Sequence, residues 1–147
     1  MANGVVLLKL SFLFAILSKR KILLMENKKV LVIEDDSILS LFYRSLLKRM
    51  GYSVVGVINN SNDVANAVSK HQPDILLMDV KIAGDADGIE TAREIRTGNG
   101  MPIIFTTGNS EPETVKRAKE VSNSYYLVKP ILEMDLKKVL DGLYAIA

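Results

Sequence analysis

Val30-Leu31-Val32-Ile33-Glu34-Asp35-Asp36 is the stretch whose reading decides the fold. Four apolar, mostly β-branched residues in a row suit a strand buried on both faces, since alternation with polar residues would mark a half-exposed one. The acids that end the run cannot stay in that core, so the strand must open there onto a polar mouth. Working outward, Ile38, Leu39, Leu41, Phe42, Leu46, Leu47 and Met50 recur at helical spacing. Asp36 or Ser37 can cap that helix, Lys48 and Arg49 suit its carboxyl end, and Gly51 can close it.

The same unit repeats down the chain. Ser53 to Ile58 reads as a second strand, and Asn60 to His71 as a short helix with caps at Ser61 or Asn62, stopping before Pro73. Ile75-Leu76-Leu77-Met78 is a third buried strand ending at Asp79. A Gly/Asp loop, Ile82 to Gly88, leads to a helix over about Ile89 to Arg96. Pro102 opens a fourth strand, Ile103 to Thr106. Ser110-Glu-Pro-Glu113 has capping-box spacing and starts a fourth helix. Tyr125 to Val128 is a fifth strand, and a last helix follows from Ile131. Strand and helix alternate five times, which predicts an α/β fold: one doubly wound parallel sheet covered on both faces.

Bulk properties agree with one domain. The chain has 147 residues, 48% hydrophobic and 24% charged, with a net charge of +2. That balance alone points to neither nucleic acid nor an acidic partner. The absence of cysteine excludes disulfides, thiolate metal sites and a cysteine nucleophile, and suits the cytoplasm. The single His71 cannot build a His-rich metal site, and at a helix end it suits the dipole better than phosphoryl donation. Acids, not a glycine-rich loop, follow the first strand, so dinucleotide and ATP sites are poorly supported.

In a parallel sheet of this kind, ligands bind outside the carboxyl ends of the strands. Those ends carry Glu34 and Asp35, then Asp79, Thr107 and Lys129-Pro130. Three carboxylates in a small space repel one another and resist ionising. A hard divalent cation relieves this, and Mg²⁺ prefers one or two carboxylates plus a phosphate. An oxygen of Asp79 could then attack a phosphoryl group, with Lys129 and Thr107 receiving its oxygens. Asp36 reads as a helix cap, Asp85 and Asp87 as turn formers, and Thr106 as structural. Of Tyr125 and Tyr126, which alternate faces, one can simply pack.

Val30 to Asp36 (VLVIEDD), Pro73 to Asp79 (PDILLMD), Asp87-Gly88-Ile89-Glu90, Pro102 to Thr107 (PIIFTT) and Tyr126 to Pro130 (YLVKP) together resemble the response-regulator receiver domain of two-component signalling. The resemblance covers about residues 28–147. It implies a flavodoxin-like (βα)5 domain, chemotaxis-regulator-like and stand-alone, with strand order 2-1-3-4-5. It implies Asp79 as phosphoacceptor, with Mg²⁺ (or Mn²⁺) held by Glu34, Asp35, Asp79 and the backbone carbonyl of Lys81. Thr107 would be the switch hydroxyl, Tyr126 the switch aromatic and Lys129 the phosphate-binding lysine, before a cis Pro130. The loop after Asp79 lacks the proline usual there, Gly108 stands where alanine is common, and Lys81 and Asn109 occupy variable positions.

The resemblance implies a signalling switch that is no enzyme beyond its own phosphorylation and dephosphorylation. The phosphoryl group would come from a sensor histidine kinase or phosphotransfer protein. Output would pass to a downstream protein partner or a homodimer, through the face made by the fourth helix, fifth strand and fifth helix of this region. With the last helix running to Ala147, no output domain and no direct nucleic-acid contact are expected. Two alternatives stand beside it. A Mg²⁺-dependent aspartate-nucleophile phosphatase usually carries a second acid two residues after the nucleophile, where this chain has Lys81. A non-phosphorylated interaction module would not need the acid pair, the threonine and the lysine.

Residues 1–26 read differently. Val5 to Leu17 is apolar apart from Lys9 and Ser11, and Lys19-Arg20-Lys21 follows. A secretory signal has the opposite order of charge and apolar run, and a membrane span needs about 20 apolar residues. Two expectations follow: an upstream extension before a natural start at Met25, or a short membrane-associated or partner-binding helix. Membrane contact is expected only if the segment is genuine.

Overall fold

The computed structural model describes residues 2–96, 100–108 and 110–145, so the expectation for Asn109 lies outside the described residues. A long helix, α1 (Ala2–Met25), precedes five strand-helix units. These are β1 (Lys29–Ile33) and α2 (Ser37–Arg49), β2 (Ser53–Ile58) and α3 (Val64–His71), β3 (Ile75–Asp79) and α4 (Gly88–Ile95), β4 (Ile103–Thr107) and α5 (Pro112–Lys119), and β5 (Ser124–Val128) and α6 (Glu133–Leu143). The strands form one parallel sheet in the order β2-β1-β3-β4-β5. The fold is the flavodoxin-like α/β arrangement, with acids at the carboxyl ends of the adjacent strands β1 and β3.

Successive side chains on a strand point to opposite faces, and the two cores sort by that parity. Leu31, Ile33, Leu76, Met78, Ile103 and Phe105 pack on one face, under α3, α4 and α5. Val30, Val32, Ile75, Leu77 and Ile104 pack on the other, where α2 supplies Tyr43, Leu46 and Leu47 and α6 supplies Leu136 and Leu140. The continuous apolar runs of β1 and β3 are therefore the consequence of helices on both sides.

The helix ends show where local reading succeeds and fails. Asp36 caps α2, its Oδ1 accepting from the N–H groups of Ile38 (2.8 Å) and Leu39 (3.0 Å). Gly51 takes φ +87°, a conformation that favours glycine, just after α2. The Asn60 to His71 segment is not one helix. A 3₁₀ turn, Ser61–Asp63, capped by Asn60, comes first, and α3 starts only at Val64, with no side-chain cap from Asp63. The expected capping box at Ser110 is not made: Glu111 holds the N-cap position without a side-chain bond, and Pro112 starts the helix. Proline at the first helical position moves the start one residue beyond the register in which Ser110 could cap.

Residues 2–25 form a single helix whose described residues are exposed except the half-buried Ser18 and Lys21. No described helix is long and apolar enough to cross a membrane.

Candidate functional site

Parity also builds the mouth of the sheet. Continuing the alternation one residue past β1, at the end of β3 and one residue past β5 puts Glu34, Asp79 and Lys129 on the face covered by α2 and α6. The contacts agree. Lys129 Nζ donates to Asp79 Oδ2 at 2.7 Å and to Glu34 Oε2 at 3.1 Å. The second oxygens are held by the backbone: Lys81 N–H donates to Asp79 Oδ1 at 3.0 Å, and Asp36 N–H donates to Glu34 Oε1 at 3.0 Å. Glu34 and Asp79 are buried and Asp35 is exposed. One ligand oxygen from each of the three acids lies within 4.8 Å of the others, a spacing that could hold a metal ion.

The electrostatics explain why this cluster wants a cation. Burial pushes the Glu34 carboxyl up, and the charge of Asp79 adds to that; the Asp36 N–H and Lys129 pull it back only in part. For Lys129, burial alone would lower the ammonium, but Asp79 and then Glu34 outweigh it and the net shift is upward. One lysine against three acids leaves negative charge uncompensated. The donor set, all hard oxygen, suits Mg²⁺.

The hydroxyl and the aromatic sit on the opposite face. Thr107, last in β4, is buried, and it hydrogen-bonds the Tyr126 phenol, which burial raises and this bond lowers. Tyr126 is half-buried against the core beneath α3, α4 and α5. Strand ends are tied across the mouth, Val80 N–H donating to Thr106 O (2.9 Å) and Lys129 N–H to Thr107 O (2.7 Å). The Lys129–Pro130 peptide is cis. Tyr125 packs in the other core, with α2 and α6.

Several contributors escaped the sequence reading. Tyr43 of α2 is buried beneath the acid cluster; burial raises its phenol, and the charges of Lys129, Glu34 and Asp79 all reach it. The apolar spacing read over this helix passes over Tyr43 and takes in Ile38, Leu41 and Phe42, which are exposed. Asp87 caps α4 by accepting from Glu90 N–H (2.9 Å), and its other oxygen takes Arg117 of α5 at 2.8 Å. Arg117 also reaches Glu90 (3.2 Å), while Arg93 joins Glu90 (2.6 Å) to Glu120 (2.9 Å). Asp85 pairs with Asn62, tying the loop after Asp79 to the loop after β2. A cleft of ≈ 640 Å³, lined by Arg44, Lys48 and Tyr52 among others, lies at the amino ends of the strands, away from Asp79.

Residues 30–141 match the family described as the response regulator receiver domain. Among curated proteins, the chain is 33% identical over 107 residues to the transcriptional regulatory protein PdtaR of Mycobacterium tuberculosis, covering 73% of this chain and 52% of that one. The chain thus spans about half the length of the curated relatives it matches. Among solved structures, the signal receiver domain of a modulated diguanylate cyclase from Desulfovibrio desulfuricans superposes with a TM-score of 0.71 at 33% identity, covering 81% of this chain and 94% of that one. The receiver domain of the sensor histidine kinase PA1611 from Pseudomonas aeruginosa has a magnesium ion coordinated in its active-site cleft. It superposes with a TM-score of 0.69 at 25% identity, covering 79% and 96% of the two chains.

Proposed function

The chain belongs to the response regulator receiver domain family, a signalling module and not a catalytic enzyme, and on that premise we propose that Asp79 accepts a phosphoryl group and that its charge state is the signal. The observation that carries the reading is the double contact of Lys129 with Asp79 and Glu34, two buried acids that share their pocket with the exposed Asp35. Such a pocket is costly to fold and stabilises nothing that apolar residues would not stabilise better; a divalent cation and a phosphoryl group would complete it.

Glu34, Asp35, Asp79 and the Lys81 carbonyl would hold Mg²⁺ or Mn²⁺, which when bound supplies positive charge to the carboxylates and to the entering phosphoryl oxygens. The chain's own steps are these. An oxygen of Asp79 attacks phosphorus, the bond from phosphorus to the donor's leaving atom breaks, and an acyl phosphate forms. Lys129 passes from a carboxylate partner to a phosphoryl oxygen. Thr107, one residue across the sheet edge, turns its hydroxyl to another, and the Tyr126 phenol loses or keeps its partner accordingly. The aspartyl phosphate thereby biases two packings of one face.

The donor class is a histidine kinase or phosphotransfer protein in the cytoplasm. Output runs through α5, β5 and α6, to a protein partner or a second copy. Lys81 stands where an aspartate-nucleophile phosphatase would need its second acid, which disfavours turnover. The test is incubation with Mg²⁺ and acetyl phosphate, read by intact mass. One added phosphoryl group, absent from Asp79→Ala, is expected. No adduct, or an adduct that persists in Asp79→Ala, refutes the proposal.

A further inference from the structure

The receiver fold makes no use of α1. From Val5 through Leu17, and again over Ile22–Leu24, its large apolar side chains are exposed, Leu8 at 72%, Phe12 at 70% and Phe14 at 73%. At 100° per residue these positions fall on every side of the helix, not along one stripe. The helix carries Lys9, Lys19, Arg20 and Lys21 and no acid. With 19 basic and 17 acidic residues in the chain, the remainder holds two more acids than bases. The segment and the domain therefore differ in the sign of their charge as well as in hydropathy.

We propose that α1 docks the receiver on an anionic lipid surface. A protein groove or a second copy of the helix would cover one stripe and leave the rest of the circumference in water. A leaflet covers all sides. Thirteen residues from Val5 to Leu17 span roughly 20 Å, longer than one leaflet's share of a hydrocarbon core about 30 Å thick and shorter than the whole. That length suits tilted insertion into one leaflet. Lys19 and Arg20 meet the headgroups, with Lys21 next to them on the side of the domain.

The attachment point fits this use. Asn27 N–H donates to Gly51 O (3.1 Å), and Lys21 Nζ lies 4.0 Å from the Asp141 carboxylate of α6. These contacts lie at the amino ends of the strands, whereas Asp79 lies at the carboxyl ends. A domain held by α1 keeps its acid pocket turned away from the lipid and open to protein partners.

The experiment is sedimentation of the full chain with vesicles of phosphatidylcholine alone or mixed with phosphatidylglycerol. Binding is expected only to the mixed vesicles, with release as salt rises. Reversing Lys19, Arg20 and Lys21 to Glu weakens it at least about tenfold, and Phe12→Glu with Phe14→Glu abolishes it, while acetyl-phosphate labelling of Asp79 is unchanged in both. No binding to either vesicle, or equal binding to both that survives charge reversal, overturns the proposal. So does a vesicle-independent oligomer that buries α1, or a native cellular chain whose intact mass begins at Met25.

Discussion

Gly88→Ala tests, with one carbon atom, how closely the chain after the acceptor must pass the acceptor itself. Gly88 is buried, opens α4, and donates its N–H to Val80 O at 2.9 Å. A Cβ built there would drive into the carbonyl oxygen of Asp79 and sit 3.1 Å from both the Asp79 carbonyl carbon and Val80 Cα. Comfortable carbon contacts are about 3.5–4.0 Å. All three atoms are backbone, so no rotamer change relieves the clash. Either α4 backs away from β3 or Asp79 moves. Overpacking of this kind costs about 1–3 kcal/mol, and the rigid partners place it in the upper part of that range. Alanine's better helix propensity returns up to about 1 kcal/mol, leaving a net loss of about 1–2 kcal/mol. Gly142→Ala in α6 is the control, because nothing lies within 4 Å of its added Cβ and only the propensity gain remains. Urea denaturation reads the first effect and the rate of Mg²⁺-dependent labelling by acetyl phosphate reads the second. Gly88→Ala should fall below wild type in both, with labelling slowed by as much as about 10²-fold if the carboxylate shifts by an ångström, while Gly142→Ala labels normally. A Gly88→Ala protein as stable as Gly142→Ala and labelled at the wild-type rate would refute the argument that this close approach is obligatory.

Lys129→Met keeps the stem and removes the ammonium that bridges Asp79 and Glu34; the two buried carboxylates then repel, and stability at pH 7 without divalent cations should fall by about 2–4 kcal/mol. Millimolar Mg²⁺ should restore part of it, and an unchanged denaturation midpoint in EDTA would sink this account. Tyr52→Phe removes a buried hydroxyl that has no hydrogen-bond partner among the described residues, so a gain of about 1 kcal/mol is expected at neutral pH. Burial raises the Tyr52 phenol above its usual 10.0, so its contribution is fully present below the unfolded value and lost as pH rises through the folded one. Wild type should therefore lose stability above pH 10 more steeply than Tyr52→Phe, and parallel curves of midpoint against pH would contradict it.

How much of this was legible depended on the range of the interaction. The runs Val30–Ile33 and Ile75–Met78 announced strands covered on both faces, and both cores now contain them, sorted by parity. Strand ends were legible for the same reason, and so were the acids placed there. Capping at Asp36 depended on its own next three residues and could be read. Capping at Ser110 could not, because Pro112 claims the first helical position and shifts the register. The Arg117–Asp87 and Arg93–Glu120 pairs join residues 30 and 27 positions apart, and no periodicity reports such meetings. Tyr43 is absent from the apolar spacing read over α2; only the fold sets it under Glu34 and Asp79.

Parity also determines where a signal at Asp79 can go. Thr106 and Thr107 are neighbours in β4 and face opposite sides of the sheet. Thr106 lies on the side of Tyr43 and the acid cluster, whereas Thr107 bonds Tyr126 on the side of α3, α4 and α5. On the proposed reading, a change of charge at Asp79 would be felt first on the α2 and α6 face, where Lys129 already contacts it. One way for it to reach the other face would be for Thr107 to exchange Tyr126 for the phosphoryl group. That exchange is one hydrogen bond, worth about 1 kcal/mol net. Such a step would shift populations several-fold without remaking the domain, and would do so beside α5, which Arg117 ties back to the loop after Asp79 through Asp87. On the proposed reading, two routes out of the site, through Thr107 and through Asp87, would converge on α5, which makes that helix and its neighbouring strand the place to test for a partner.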